Sequence, residues 1–310
     1  MRERILTAVL FGLAMWPGIW AGAESLRAKE QFEGVIVLHP GQFEVDMRLD
    51  LVATDSGSLR GHLSYPFQGP KEYALDTIQW SDDHFLITST DEQGIVSVFQ
   101  GRRLQEGKVL RGELTENGRK ASFELHRIDS TVVRKAPVVQ SLSPEGSELK
   151  TLFNQDQGQV RVLLVLSPSC NICRMGARLV ERHLLENLHD PKLSVYIVWE
   201  RISTQDSLES AIHAASLLSN EQIQHFWSAE RFASTAFQVP VGIQRDTAWD
   251  VFLVFGKEKT WTFAPPAFDV FMHNQKMHDE LPKDRLLNAE KLAGEVKDLL
   301  DGVPAQAASR

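Results

Sequence analysis

The sequence predicts two domains of different class, an all-β antiparallel meander with a barrel-like curl followed by an α/β domain. Three observations carry that reading. The first half alternates apolar and polar residues, and the second half holds continuous apolar runs separated by helical periods. The only two cysteines of the chain, Cys170 and Cys173, lie three residues apart where one such run gives way to a helix.

The chain opens with Arg2 and Arg4, an apolar stretch ending near Trp20, and the small residues Ala21-Gly22-Ala23. This is the pattern of a secretory leader with its cleavage site, so residues 1–23 are expected to be removed. The apolar part is broken by Pro17 and Gly18, and no cysteine stands there to take a lipid. A secreted or periplasmic protein without stable membrane insertion after leader removal is therefore expected. A formal net charge of −8 with no basic stripe argues against a nucleic-acid partner.

Residues 31–128 carry the period of two. Phe43, Val45, Met47, Leu49 and Leu51 alternate with Glu44, Asp46, Arg48 and Asp50, as in a strand with one buried and one wet face. Turn signals recur at short intervals, among them Asp55-Ser56-Gly57, Gln68-Gly69-Pro70, Asp91-Glu92-Gln93-Gly94 and Glu116-Asn117-Gly118. Leu59-Arg60-Gly61-His62-Leu63 is echoed by Leu110-Arg111-Gly112-Glu113-Leu114, with strand glycines where a closing sheet has to bend. Through these Gly-x-Leu strands and Phe123-Glu124-Leu125-His126-Arg127, the region resembles the lipocalin-like β-meander domains that precede catalytic domains in some exported proteins. The resemblance implies partner or apolar-ligand binding. A barrel filled by its own side chains is the more frequent outcome at this size.

Residues 129–147, with Pro137, Pro144 and Gly146, read as a linker. The second domain is expected over residues 148–302, with a flexible tail at 303–310. Val162-Leu163-Leu164-Val165-Leu166 reads as a parallel strand buried on both faces. Beyond Ser167-Pro168-Ser169 the apolar residues from Met175 to Leu188 follow a helical period. A second buried strand is predicted at residues 193–199, helices at 207–218 and 221–237, a strand at 251–255, an edge strand near 260–263 and a last helix at 283–300.

Cys170 is thus predicted at a helix N-terminus and Cys173 one turn inside it. Unpaired N–H groups at a helix start stabilise a thiolate, which is the form that attacks disulfides or binds soft metals. Cys170 is expected to be the nucleophile and Cys173 the resolving thiol. A bridge closing so short a loop adds little chain-entropy stabilisation, so the value of the pair is chemical.

The strand, CxxC helix, strand, helix, strand, strand and helix order over residues 149–300 resembles thioredoxin, with Cys170 and Cys173 matching the two motif cysteines. The resemblance implies a thioredoxin-like fold, dithiol–disulfide exchange with protein thiols or disulfides, a separate reductant or oxidant, and no cofactor beyond the cysteine pair. The sequence departs from that family at three places. No proline precedes the strand at 251, where Ala248-Trp249-Asp250 stands. Leu164 occupies the place of the usual buried acid, for which Glu200 is the nearest substitute although a strand end predicts it solvated. Asn171-Ile172 fills the motif. Val198-Trp199-Glu200, His225-Phe226-Trp227 and Trp249-Asp250-Val251-Phe252-Leu253 resemble a less characterised group of exported thioredoxin-like proteins. Pro168, Trp199, Glu200 and Trp249 are candidates for a substrate groove.

Two other readings of the same residues stay open. Ser167-Pro168-Ser169-Cys170 fits a peroxiredoxin-type Ser/Thr-x-x-Cys pattern without its opening proline. Alternatively, Cys170 and Cys173 hold Cu(I), with His273 or His278 adding ligands, in a non-catalytic binding protein. No phosphate loop and no Gly-x-Ser-x-Gly elbow occurs.

Overall fold

A computed structural model describes residues 29–55, 57–128, 136–244, 246–274 and 280–303. The expected leader, part of the linker, His278 and nearly all of the tail lie outside the described residues. No described helix is long and apolar enough to cross a membrane.

Nine strands build the first domain: β1 (Glu30–His39), β2 (Phe43–Ala53), β3 (Leu59–Ser64), β4 (Glu72–Ala74), β5 (Thr77–Trp80), β6 (His84–Thr90), β7 (Val96–Leu104), β8 (Val109–Glu116) and β9 (Arg119–Ile128). They form one antiparallel sheet in the order β4-β3-β2-β1-β9-β8-β7-β6-β5. The outermost strands, β4 and β5, are consecutive in the chain, so the sheet must curl for its ends to approach. The chain passes from one end to the other at Leu75-Asp76, with Leu75 N–H donating to Gly61 O of β3 (3.1 Å) and Asp76 N–H to Thr88 O of β6 (2.8 Å), and Ser89 Oγ of β6 donates across to Ala74 O of β4 (2.8 Å). Curling brings backbones close at the facing pair Gly101 and Gly112. A Cβ on Gly101 would stand 2.2 Å from Arg111 O, and one on Gly112 2.1 Å from Gln100 O. No other residue fits there.

The alternation expected for β2 holds at Val45, Met47, Leu49 and Leu51, which are buried with Phe32, Phe85, Phe99 and Phe123 in one core. Edge-to-face rings such as Phe99 and Phe123, 5.7 Å apart, fill much of the interior. Glu44 and Asp50 break the alternation by being buried as well. Asp50 meets Gln31 Nε2 (2.5 Å) and His62 (2.9 Å), whereas Glu44 faces the second domain.

The second domain comprises β10 (Val139–Ser141), α1 (Ser147–Gln155), β11 (Val160–Leu166), α2 (Asn171–Val180), β12 (Leu193–Glu200), α3 (Leu208–Ser216), β13 (Ile223–Ser228), α4 (Phe232–Val241), β14 (Val251–Phe255), β15 (Val270–His273) and α5 (Ala289–Leu300). Its mixed sheet runs β10-β13-β12-β11-β14-β15. β10 to β11 are parallel across the sheet, and β14 and β15 are antiparallel additions on the other side of β11. All seven residues of β11 and all eight of β12 are buried, because separate apolar clusters cover the two faces.

Four expectations for this half need correction. Residues 139–141 belong to the sheet as β10 and not to a linker. The helix expected over 221–237 is a strand and a helix, parted at Arg231, where φ is +56°. Ile223, Phe226 and Trp227 mimic helical spacing, but Phe226 and Trp227 are buried on opposite faces of a central strand. The edge strand expected near 260–263 lies instead at β15, with Trp261 buried in the core and Phe263 fully exposed. The last helix starts at α5, capped by Asn288 Oδ1 accepting from Lys291 N–H (2.9 Å), after one isolated 3₁₀ turn at Lys283–Arg285.

Helix α2 and the π-helical turn that continues it, Glu181–Leu185, join the two domains. Arg178 Nε reaches Asp46 (3.1 Å), Arg182 reaches Glu44 (2.7 Å) and Asp46 (2.6 Å), and His183 reaches Glu44 (2.8 Å). Burial raises the Glu44 carboxyl, but hydrogen bonds from His183, from Gly41 N–H (2.8 Å) and from Arg182 outweigh it and pull the group down to about 2. From the first domain, Phe67 inserts into the apolar cluster that contains Cys173, and its carbonyl accepts from Arg174 Nε (3.0 Å).

Candidate functional site

The cysteine pair stands where β11 hands over to α2. Ser167-Pro168-Ser169 makes the turn, and a single carboxylate holds it. Asp206, buried just before α3, accepts from Ser167 Oγ (3.0 Å), Ser169 N–H (2.9 Å), Ile202 N–H (2.9 Å) and Ser203 N–H (2.7 Å). Although burial opposes it, this set of donors keeps the Asp206 carboxyl below its ordinary range. The charge is therefore permanent at neutral pH, and it ties the motif turn to the loop after β12.

Cys170 is the N-cap of α2, in extended conformation, and its Sγ accepts from Cys173 N–H at 3.4 Å. The Cys170 thiol is pulled down to about 6. A hydrogen bond from the Cys173 thiol is the main cause; burial opposes it, while the N–H groups of Cys173 and Ile172 and the Arg174 charge assist. Cys173 is completely buried, and burial pushes its thiol well above the ordinary value, with Cys170 and Asp250 adding to the rise. Both sulfurs are free thiols.

Asp250 precedes β14, which pairs with β11. It is 3% exposed and takes φ of +53°, a left-handed conformation that aspartate tolerates better than most residues. Burial pushes its carboxyl up to about 7, the Cys170 charge pushes the same way, and hydrogen bonds from Asn274 and Cys173 oppose the rise. The backbone sets the Asn274 contact, since Asn274 N–H donates to Asp250 O at 3.1 Å. Helix α2 approaches this corner at Gly176, where a Cβ would meet Asn274 Nδ2 and Phe252 Cζ at 2.8 Å each. A half-buried thiol at the helix start, a fully buried thiol behind it and a buried carboxyl raised toward neutrality thus adjoin one another.

The other expected site residues scatter. Pro168 lies in the motif turn, and its carbonyl accepts from Arg174 Nη1 (2.8 Å). Trp249 is half-buried against the cluster containing Cys173. Trp199 is fully enclosed and stacks on His225, with ring centroids 6.4 Å apart, so it offers no surface to a groove. Glu200 is neither solvated nor beside the cysteines. It is fully buried and accepts from Ala233 N–H (2.7 Å) and Ser234 N–H (3.1 Å) at the start of α4, with burial pushing its carboxyl up to about 7. A strand end suggested solvent, but α4 begins directly over it.

Asp250 and Asp206 carry the site without having been assigned a role from sequence. A lone acid directly before the unbroken apolar run Val251-Phe252-Leu253-Val254-Phe255 was the available signal for Asp250. Nothing local marked Asp206, whose donors lie in two separate loops.

His273 is buried, with Nε2 3.0 Å from Pro282 O. Among the described residues no group of three or more His, Cys, Asp or Glu side chains is placed to share a metal ion. No protein-family model, no curated protein and no solved structure matches this chain.

Proposed function

We propose that this protein is an exported, thioredoxin-like thiol–disulfide oxidoreductase working through Cys170 and Cys173. The observation that carries the reading is the ordered pair of sulfurs over a buried acid: Cys170 at the helix start, Cys173 enclosed behind it, and Asp250 against Cys173. The topology supports it too. The motif strand β11 lies between parallel β12 and antiparallel β14, and β15 and α5 follow, with β13 as an extra strand between β12 and the edge strand β10.

The Cys170 thiolate attacks one sulfur of a substrate disulfide, forming a mixed disulfide and releasing the other sulfur as a thiolate that water protonates. Cys173 then loses its proton to the Asp250 carboxylate and attacks Cys170 Sγ. That step forms the Cys170–Cys173 disulfide and expels the second substrate thiolate. Two electrons pass from the dithiol to the substrate, and a separate dithiol reductant must restore the pair. With an external oxidant the same steps run backwards and insert disulfides into protein thiols.

The test is turnover of a disulfide reporter by the reduced protein. Cys170→Ser is expected to abolish it, and Cys173→Ser to accumulate a mixed disulfide at position 170. Turnover by Cys170→Ser at the parent's rate would sink the reading.

A further inference from the structure

The interior of the first domain is not filled to its end. Phe32, Phe85, Phe99 and Phe123 pack the part around β5, but toward the turns after β1, β3, β6 and β8 a cavity of about 280 Å³ opens. That volume lies just below the ~300–1,000 Å³ usual for small-ligand pockets, which suits a small ligand. Ile36, Val45, Leu63 and Leu114 form its walls. Its rim includes Leu38 and Phe43, which are 38% and 42% exposed. Side chains of this kind ordinarily turn into a core, and here they face an open mouth.

The polar side of the lining has one sign. Asp91 and Glu116 both line the cavity, together with Tyr65, Tyr73 and neutral hydrogen-bonding groups, and no Lys or Arg does. The two tyrosine rings stand edge-to-face with centroids 5.7 Å apart. One intramolecular cation is already drawn to them: Lys71 Nζ lies 4.8 Å from the centre of the Tyr73 ring and pairs with Glu92 at 3.2 Å. Aromatic faces beside carboxylates attract ammonium groups, and alkylammonium ions add an apolar body that suits aliphatic walls.

We propose that the mouth of the β domain is a binding site for a small amphiphile with an aliphatic body and an ammonium head. The body lies among Ile36, Val45, Leu63 and Leu114, and the head lies between the Tyr65 and Tyr73 rings and the Glu116 carboxylate. Among the described residues the Glu116 carboxylate pairs with no cation and accepts from the neutral Ser97 hydroxyl at 2.6 Å, whereas Asp91 is occupied by the N–H groups of Gln93 and Ile95.

Calorimetric titration of the whole protein with octyltrimethylammonium, octyl sulfate and octanol, all below micelle-forming concentrations, tests this. One-to-one binding of the ammonium compound is expected, at least tenfold tighter than octyl sulfate. In Glu116→Gln the preference should shrink to less than threefold while binding of octanol is unchanged. Leu114→Trp, which fills the cavity, should abolish binding of all three. Should that variant fail to fold, as judged by its melting curve, Glu116→Gln alone decides. Equal binding of the two ions, an unaltered preference in Glu116→Gln, or no saturable binding of the ammonium compound would each overturn the proposal.

Discussion

The motif is held from two sides by buried aspartates, and the two sides are built on opposite principles. On the side of the loop after β12, Asp206 is surrounded by donors from two loops and kept charged. At the mouth of β14, Asp250 has few donors and is pushed toward its neutral form. Burial is common to both, and only the supply of hydrogen bonds differs. A saturated carboxylate makes a fixed clamp, and an undersupplied one makes a proton acceptor. The thiols follow the same rule: Cys170 receives hydrogen bonds and is acidified, whereas Cys173 is enclosed and is not.

The largest effect is expected at the clamp. Asp206→Ala strips the hydroxyl of Ser167 and the N–H groups of Ser169 and Ser203 of their acceptor inside the protein, and leaves Ile202 N–H with Glu200 O alone, at 3.0 Å. Leaving such groups unpaired should cost about 3–5 kcal/mol of stability. Chemical denaturation measures it. If the variant unfolds within about 1 kcal/mol of the parent, the clamp does not hold the turn. Asp206→Asn retains an acceptor oxygen and should lose less.

Asp250→Asn should leave the fold intact and act on the chemistry. Removing a positioned general base typically slows a step about 10²-fold or more. Stopped mixing with a disulfide reporter should show the first attack by Cys170 nearly unchanged and the mixed disulfide persisting. An unchanged resolving step would show that Cys173 loses its proton elsewhere.

The two aspartates also predict opposite linkage. For Asp250 the folded state raises the carboxyl from the ordinary 3.8 to about 7. Its contribution to stability is therefore fully present below about pH 4, declines across the interval, and is gone above pH 7. At about 1.4 kcal/mol per unit this amounts to roughly 4 kcal/mol at most. Compared with the parent, Asp250→Asn should gain stability from pH 4 to pH 8. Asp206 has its carboxyl lowered, so its contribution is present at neutral pH and lost only as acid protonates the folded carboxylate. Denaturation of both variants across pH separates the curves, and parallel curves would refute the contrast.

How far the sequence disclosed this arrangement depends on how local each cause is. The period of two in β2 and the unbroken apolar run of β11 follow from which faces are buried, and both were legible. The division of residues 221–237 into β13 and α4 was not, since Ile223, Phe226 and Trp227 satisfy a helical period and a two-sided strand equally. At the motif, the place of Cys170 at a helix start follows from its neighbours in sequence. The roles of Asp206 and Asp250 do not, because each depends on groups distant in the chain, such as Ser167 and Ser169 for Asp206 and Cys173 and Asn274 for Asp250. Glu200 illustrates the converse error, in which a strand end looked wet until α4 was laid across it.

The smallest effect sharpens the contrast from a third direction. Arg174 follows Cys173 and bridges the domains, donating to Phe67 O at 3.0 Å and Pro168 O at 2.8 Å. Its charge favours the Cys170 thiolate, but it ranks behind the Cys173 thiol and the N–H groups of Cys173 and Ile172. Arg174→Met keeps the stem's apolar packing and removes only the guanidinium. The thiolate titration of Cys170, followed by ultraviolet absorbance, should then move upward by less than about one unit. Leaving the two carbonyls unpaired should cost about 1–3 kcal/mol. A larger displacement of the titration would mean that a cation, and not the Cys173 thiol with the N–H groups of the helix start, sets the acidity of Cys170. In that case the contrast between supplied and undersupplied groups would have to be redrawn around charge.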